Sequence, residues 1–316
     1  VIIKVNELVK RYGNLQALNH LSFEVKQGEI FGLLGPNGSG KTTAINCMLS
    51  LLKYDKGDVE VFGKPMGPES YELKQKIGVV MQEVAVFDVL TVRENIDYFC
   101  GLYVKDRQKK KELVEEAVEF VGLQGFEKFL PKKLSGGLLR RLNIACGIAH
   151  KPELIFLDEP TVAVDPQSRN HILEGIVKLN RQGATIVYTS HYMEEVEQIC
   201  SRIMILDKGK EIASGTRESL KAMIDLGEKC RFEVFSIEQD QLNRLERFSE
   251  VSEVEFKDSL LTVKAHKGSN ILERILMFLR EEGIPFGRIF SEQPTLNDVF
   301  LEITGRELRD NGGDNV

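Results

Sequence analysis

The segment Gly35-Pro36-Asn37-Gly38-Ser39-Gly40-Lys41-Thr42 leaves this chain few folds to choose from. In this G-x-x-x-x-G-K-T pattern the glycines let successive backbone N–H groups turn inward on a polyphosphate. Lys41 can reach the β- and γ-phosphates, and the Thr42 hydroxyl can ligate Mg²⁺. Before the loop, Glu29-Ile30-Phe31-Gly32-Leu33-Leu34 is an apolar run of strand length. After it, Thr43-Ala44-Ile45-Asn46-Cys47-Met48-Leu49 reads as a helix. A loop between a buried strand and a helix sets the positive end of the helix dipole under the phosphates. The pattern and its context together point to a nucleotide ligand.

The rest of the chain repeats the strand–helix alternation. Leu154-Ile155-Phe156-Leu157 and Thr185-Ile186-Val187-Tyr188-Thr189 are short apolar runs separated by amphipathic helices, as buried parallel strands are. Residues 1–30 instead alternate apolar and polar (Ile3-Lys4-Val5; Leu21-Ser22-Phe23-Glu24-Val25), which predicts half-buried antiparallel strands. The expected fold is three-layer α/β with a parallel core sheet and an antiparallel β region. Residues 91–150 lack β-rich runs and read as helices, at Thr91–Leu102 and Lys109–Val121 among others, so an inserted helical subdomain is expected there. From about 225 the order becomes βαββαβ, with a turn at Asp258-Ser259, which predicts a small α+β, ferredoxin-like domain over 225–305 behind a 1–224 core. The last residues, 306–316, read as a flexible tail that is Asn/Gly/Asp-rich from Asp310.

The 316 residues suffice for two domains. A net charge of −6 argues against broad attraction to nucleic acid, and no nucleic-acid partner is expected. The basic run Lys105–Lys111 reads as a solvated helix start. No apolar run approaches the roughly 18 residues of a spanning helix. Lys4, Glu7, Lys10 and Arg11 near the start do not make a signal-peptide pattern. The cysteines, Cys47, Cys100, Cys146, Cys200 and Cys230, are scattered without metal-ligand spacing and read as reduced, mostly buried thiols.

Two further motifs carry chemistry. Leu154–Leu157 delivers Asp158 and Glu159 at the carboxyl end of a strand, the ligand-binding edge of a parallel sheet. Asp158 suits the Mg²⁺ shell, through water, and Glu159 suits orienting or deprotonating an attacking water. Leu134-Ser135-Gly136-Gly137 opens a second helix and makes a second anion site, although Ser135 would serve equally as an ordinary N-cap.

These motifs, in this order and spacing, resemble the nucleotide-binding subunits of ATP-binding-cassette (ABC) transporters over residues 1 to about 220. The resemblance implies a P-loop cassette with ATP and Mg²⁺ as cofactors. It places Tyr12 on adenine, and Gly35, Pro36, Asn37, Gly38, Ser39, Gly40, Lys41, Thr42 and Thr43 on the phosphates. Gln82 becomes the Q-loop glutamine, touching Mg²⁺ alongside Thr42 and Asp158 and facing the membrane subunit. Asp165 becomes the D-loop aspartate, and His191 the switch histidine that joins Glu159 and Lys41 in catalysis. Ser135, Gly136 and Gly137 would bind the nucleotide of a second copy. Pro294–Leu301 and Thr304–Leu308 look like the C-terminus of ABC-2-type export subunits.

Implied partners are therefore a second ATP-binding subunit, identical or paralogous, and a separate integral-membrane permease, with the chain on the cytoplasmic face of the membrane. Two positions depart from the family pattern. Leu138 replaces the usual Gln after the two glycines, and Val162-Ala163-Val164-Asp165 replaces Ser/Ala-Gly-Leu-Asp, whose β-branched substitutes restrict the backbone. A soluble ABC-type ATPase acting on ribosomes or DNA, and a nucleotide switch that binds without turnover, are the competing functions.

Overall fold

The computed structural model describes residues 1–305; the expected tail at 306–316 lies outside the described residues. The chain opens with a hairpin, β1 (Ile3–Tyr12) and β2 (Leu15–Val25), followed by β3 (Ile30–Leu34) and α1 (Lys41–Met48) on either side of the phosphate loop. β4 (Lys56–Val61), β5 (Lys64–Pro65), the one-turn α2 (Tyr71–Lys74) and β6 (Ile77–Val80) come next. Residues 91–150 hold α3 (Val92–Gly101), α4 (Arg107–Phe120) and α5 (Gly136–Ile148), with a 3-10 turn at Pro131–Lys133 and no strand. β7 (Leu154–Asp158), α6 (Pro166–Arg181), β8 (Thr185–Ser190), α7 (Met193–Ile199), β9 (Arg202–Asp207) and β10 (Lys210–Gly215) complete a first unit that ends at Thr216.

Alternation along the hairpin has the expected consequence. Ile3 pairs with Val25 and Val5 with Phe23, all buried, while Lys4 and Glu24 between them face out. β2, β1, β4 and β5 form this antiparallel sheet in that order. The second sheet runs β10-β9-β3-β8-β7-β6, parallel except for β10. Every residue of β3, β7 and β8 is buried, which explains the apolar runs Ile30–Leu34, Leu154–Leu157 and Ile186–Tyr188 within them. Because these strands are neighbours and parallel, their carboxyl ends deliver the phosphate loop, Asp158-Glu159 and His191 to one edge of the sheet.

The loop between β6 and α3 is held from beneath by Asn95, which is wholly buried. Its Oδ1 accepts from the Phe87 amide at 2.8 Å, and its Nδ2 donates to the carbonyls of Phe87, Leu90 and Thr91, each at 3.0 Å. α3 itself starts in a capping box, with Thr91 and Glu94 bonding each other's backbone amides.

A second unit begins at Arg217, earlier than the expected 225. The reason is α8 (Arg217–Lys221), whose Leu220 is buried and which packs against the last helix, α11 (Leu296–Thr304). Between them lie β11 (Lys229–Val234), α9 (Gln239–Glu246), β12 (Val251–Lys257), β13 (Leu260–Ala265), α10 (Leu272–Glu281) and β14 (Phe286–Glu292). The sheet order β12-β13-β11-β14, antiparallel throughout, is the ferredoxin-like arrangement. Phe232, Leu261 and Val263 on its inner face meet Ile275, Phe278 and Leu279 of α10 in one core. Asp258 and Ser259 have φ of 51° and 62°, the left-handed pair that a type I′ hairpin requires.

Asn95→Ala would orphan several backbone groups at once. It is expected to lower the unfolding free energy by about 2–3 kcal/mol and to speed amide exchange at 85–91, read by urea denaturation and hydrogen-exchange mass spectrometry.

Candidate active site

The phosphate loop leaves no room for side chains where it meets its neighbours. A Cβ on Gly35 would collide with the Leu206 carbonyl, and one on Gly40 would come 2.7 Å from the Ala17 carbonyl. Gly40 also has φ of 109°, open to glycine alone in practice. α1 begins directly after it with no side-chain cap and no acid in its first turn, so its amino-terminal N–H groups keep their affinity for anions. Lys41 is only 5 % exposed. Its Nζ lies 2.8 Å from the Gly35 carbonyl, 3.2 Å from that of Pro36 and 3.0 Å from Glu159 Oε1. Its three protons thus have three acceptors, and a phosphate oxygen would have to displace one of them.

The loop floors a cleft of about 720 Å³, within the range of ligand sites. Tyr12, Gln16 and Ala17 line it together with Asn37, Gly38 and residues 40–43 of the loop and helix start, and with Gln82 and Glu159. Tyr12 is half exposed and has Lys10 Nζ 5.2 Å from its ring centroid. The cleft also contains Lys208, which the sequence did not single out. It sits in the β9–β10 turn, which Gly209 fastens to the loop by donating to the Ser39 carbonyl at 2.8 Å.

Asp158 is fully buried at the end of β7. Its Oδ1 accepts from Thr189 Oγ1 at 2.6 Å, and its Oδ2 is buried with no hydrogen-bond partner. An orphaned carboxylate oxygen at the carboxyl end of β7 fits the water shell of a hard divalent cation, so the oxygens of Thr42, Gln82 and Asp158 are compatible with Mg²⁺. Thr189 is a second residue missed in the sequence. The same hydroxyl accepts from the Glu159 amide at 3.0 Å, and so fixes both acids from the neighbouring strand.

Glu159 is 5 % exposed and has φ of 46°, a strained backbone for a residue with a side chain. Its Oε1 takes Lys41, and its Oε2 lies 3.3 Å from His191 Nδ1. Burial alone would raise its pKa, but the His191 hydrogen bond and the Lys41 charge outweigh it and hold the carboxyl at about 2. So placed, Glu159 is a weak proton acceptor, and releasing Lys41 would strengthen it.

A third missed residue is Arg140, 4 % exposed, whose guanidinium donates to the carbonyls of Met81, Gln82, Glu159 and Pro160. Burial lowers its pKa, with the Asp158 and Glu159 charges pulling the other way. Helical spacing carried the signal: Gly137, Arg140 and Ile144 fall on one buried face of α5.

Ser135, Gly136, Gly137 and Asp165 do not line this cleft; they gather in a second cluster. Ser135 caps α5, its hydroxyl accepting from the Leu138 amide at 3.3 Å. Leu138 therefore serves the cap through its backbone. Asp165 caps α6, accepting from the Ser168 amide at 2.9 Å, and that bond lowers its pKa. In the preceding turn the left-handed residue is Ala163, at φ 58°, while neither valine has positive φ. The restriction expected from the valines thus falls on the alanine between them.

Two outcomes follow. Ala163→Gly relieves a left-handed alanine and is expected to add about 1 kcal/mol of stability, measured by chemical denaturation. The depressed pKa of Glu159 stabilises the fold above its ordinary value of 4.5, and this contribution is lost as pH falls toward about 2. Glu159→Gln should therefore flatten the acid limb of a stability–pH curve between those values.

The family model for ABC transporters matches residues 18–162. The linearmycin resistance ATP-binding protein LnrL of Bacillus subtilis (strain 168) is 38% identical over 311 residues, covering 98% of this chain and 100% of that one. Nod factor export ATP-binding protein I of Burkholderia orbicola (strain AU 1054) is 34% identical over 313 residues, 98% of each. Among solved structures, a dimeric ATP-binding cassette in a post-hydrolysis state, bound to ADP and Pi, superimposes with a TM-score of 0.63. It is 27% identical, covering 68% of this chain and 98% of that one. With these likenesses along nearly its whole length, the chain belongs to the ABC transporter family as one of its ATP-binding, ATP-hydrolysing subunits.

Proposed function

We propose that this chain powers an export-type transporter by closing head-to-tail with a second copy, or a close paralogue, around two ATP molecules. One observation carries the reading. The residues that line the cleft holding Lys41 and Glu159 do not include Ser135, Gly136 or Gly137 of the same chain, which open α5 outside it. A second copy would bring its own Ser135–Gly137 to the γ-phosphate and complete the site. The names of the two relatives, resistance in one and export in the other, support the outward direction.

The residues suggest an order of events. The phosphates lie along the loop amides and take Lys41 from Glu159. With that neighbour gone, the Glu159 carboxylate regains basicity and can take a proton from the attacking water, while His191 steadies its second oxygen. When bound, Mg²⁺ neutralises charge on the β- and γ-phosphate oxygens; Thr42, Gln82 and Asp158 would hold it. Tyr12 offers its ring to the adenine.

Gln82 begins the segment that would face the membrane partner. That segment is apolar and exposed: Val89 is 84 % accessible, and Phe87 packs edge-on to Tyr98 with ring centroids 4.9 Å apart. Among the described residues no helix is long and apolar enough to cross a membrane, so a separate permease would supply the pore and place this chain at the cytoplasmic face.

The test uses a tagged Glu159→Gln chain expressed in its native cell. Hydrolysis by the purified variant should fall by about 10²-fold or more with ATP binding retained. Trapped with ATP and extracted gently, it should bring down a multi-span membrane protein in near-stoichiometric amount. Ribosomal or DNA-repair proteins in its place would overturn the transport reading. Failure of the unsubstituted chain to release phosphate would leave only a nucleotide switch.

A further inference from the structure

β6 and β7 pair in parallel from Ile77 with Leu154 to Val80 with Leu157, and there the ladder stops. Just beyond it the two chains separate, one into the Gln82 loop and the other into the Glu159 turn. Arg140 fills the place where the ladder ends. Its Nη1 donates to the carbonyls of Met81 at 3.1 Å and Gln82 at 2.6 Å; its Nη2 donates to Glu159 at 2.7 Å and its Nε to Pro160 at 2.9 Å. Two carbonyls belong to one loop and two to the other. A rigid planar fork can span both pairs at once, which a point-charge ammonium cannot. Asn143, three positions on, accepts from the Ala85 amide at 3.1 Å and adds a second tie to the first loop.

We propose that Arg140 is a positioning residue that makes the Gln82 loop and the Glu159 turn one mechanical body, so that displacing the loop displaces the catalytic carboxylate. The functional weight of the Gln82 side rests on the transport reading above; the link itself does not. Glu159 keeps its left-handed backbone while its carbonyl is held from below by the guanidinium and its amide from the side by Thr189. Loosening the carbonyl moves the carboxylate, and of the groups that line the cleft Arg140 holds only the backbones of Gln82 and Glu159, not the phosphate loop or Tyr12. Catalysis should suffer and binding should not.

The test is Arg140→Lys in the purified full chain, with no membrane partner present, so a failed search for a permease leaves its outcome intact. The expected result is a kcat lowered about tenfold or more with KM for ATP within about twofold. In the Glu159→Gln background, Mg–ATP should alter amide exchange at 81–87 and 158–162 together when Arg140 is present, and separately in Arg140→Lys. An unchanged kcat, an equal loss in kcat and ATP affinity, or joint exchange that survives the substitution would each overturn the assignment. Should Arg140→Lys fail to fold, exchange in the Glu159→Gln chain alone still decides. Different nucleotide dependence at the two segments refutes the link, and identical dependence sustains it.

Discussion

The buried ion pair between Lys41 and Glu159, 3.0 Å apart, is the constraint around which this cassette is organised. Two charges removed from water are tolerated only where the remaining donors and acceptors are also met. The fold meets them: Gly35 and Pro36 carbonyls for the lysine, His191 for the second glutamate oxygen. Each partner comes from the carboxyl end of a different, fully buried parallel strand or from the loop that follows it. The parallel order β3-β8-β7 is thus a requirement of the pair. An antiparallel neighbour would send one of these groups to the opposite edge of the sheet.

The same pair makes the site responsive. A carboxylate held at about 2 by the His191 hydrogen bond and the Lys41 ammonium together becomes a stronger base when that ammonium finds another anion. In the proposed function a polyphosphate would be that anion. Proton-accepting strength at Glu159 would then be tied to occupation of the loop by the group to be cleaved, with no moving part larger than a lysine side chain. The buried hydroxyl of Thr189, shared by the Asp158 carboxylate and the Glu159 amide, holds the two acids in register independently of Lys41.

Much of this was legible in the sequence because it depends on local pattern. Apolar runs of strand length, glycines spaced for a turn, and acids at a strand end each leave a signature a few residues long. The helices at 92–101 and 107–120 and the βαββαβ order were readable for the same reason. What escaped reading depends on three dimensions. Arg140 looks like a surface charge until the carbonyls left over at two strand ends are counted, and those ends lie about sixty and twenty residues away in the chain. Lys208 enters the cleft only because β9 lies beside β3. The start of the second unit at 217 follows from a five-residue helix whose partner is the last helix of that unit, a contact that no local window contains. Ser135 was ambiguous between cap and ligand contact because its hydroxyl has lone pairs for one role and a proton for the other.

The second cluster shows why the two departures from the family pattern leave its framework standing. A Cβ on Gly137 would come 2.5 Å from Ser168 Oγ and 3.0 Å from Asp165 Oδ2, so the amino ends of α5 and α6 touch with nothing between them. Arg141 Nη2 donates to Ser168 Oγ at 3.1 Å and binds the two ends from the side. Two positive helix ends brought so close repel unless each is capped, and Ser135 and Asp165 supply the caps. The features this corner depends on are therefore a glycine at 137, a capping oxygen at 135 and a carboxylate at 165. A side-chain amide at 138 and a glycine at 163 are not among them. Leu138 contributes an amide that any residue except proline has, and Ala163 can occupy the left-handed position at a modest energetic cost. Because both caps are anchored in one contact, the segment at 135–137 cannot shift without carrying the turn at 162–165 with it.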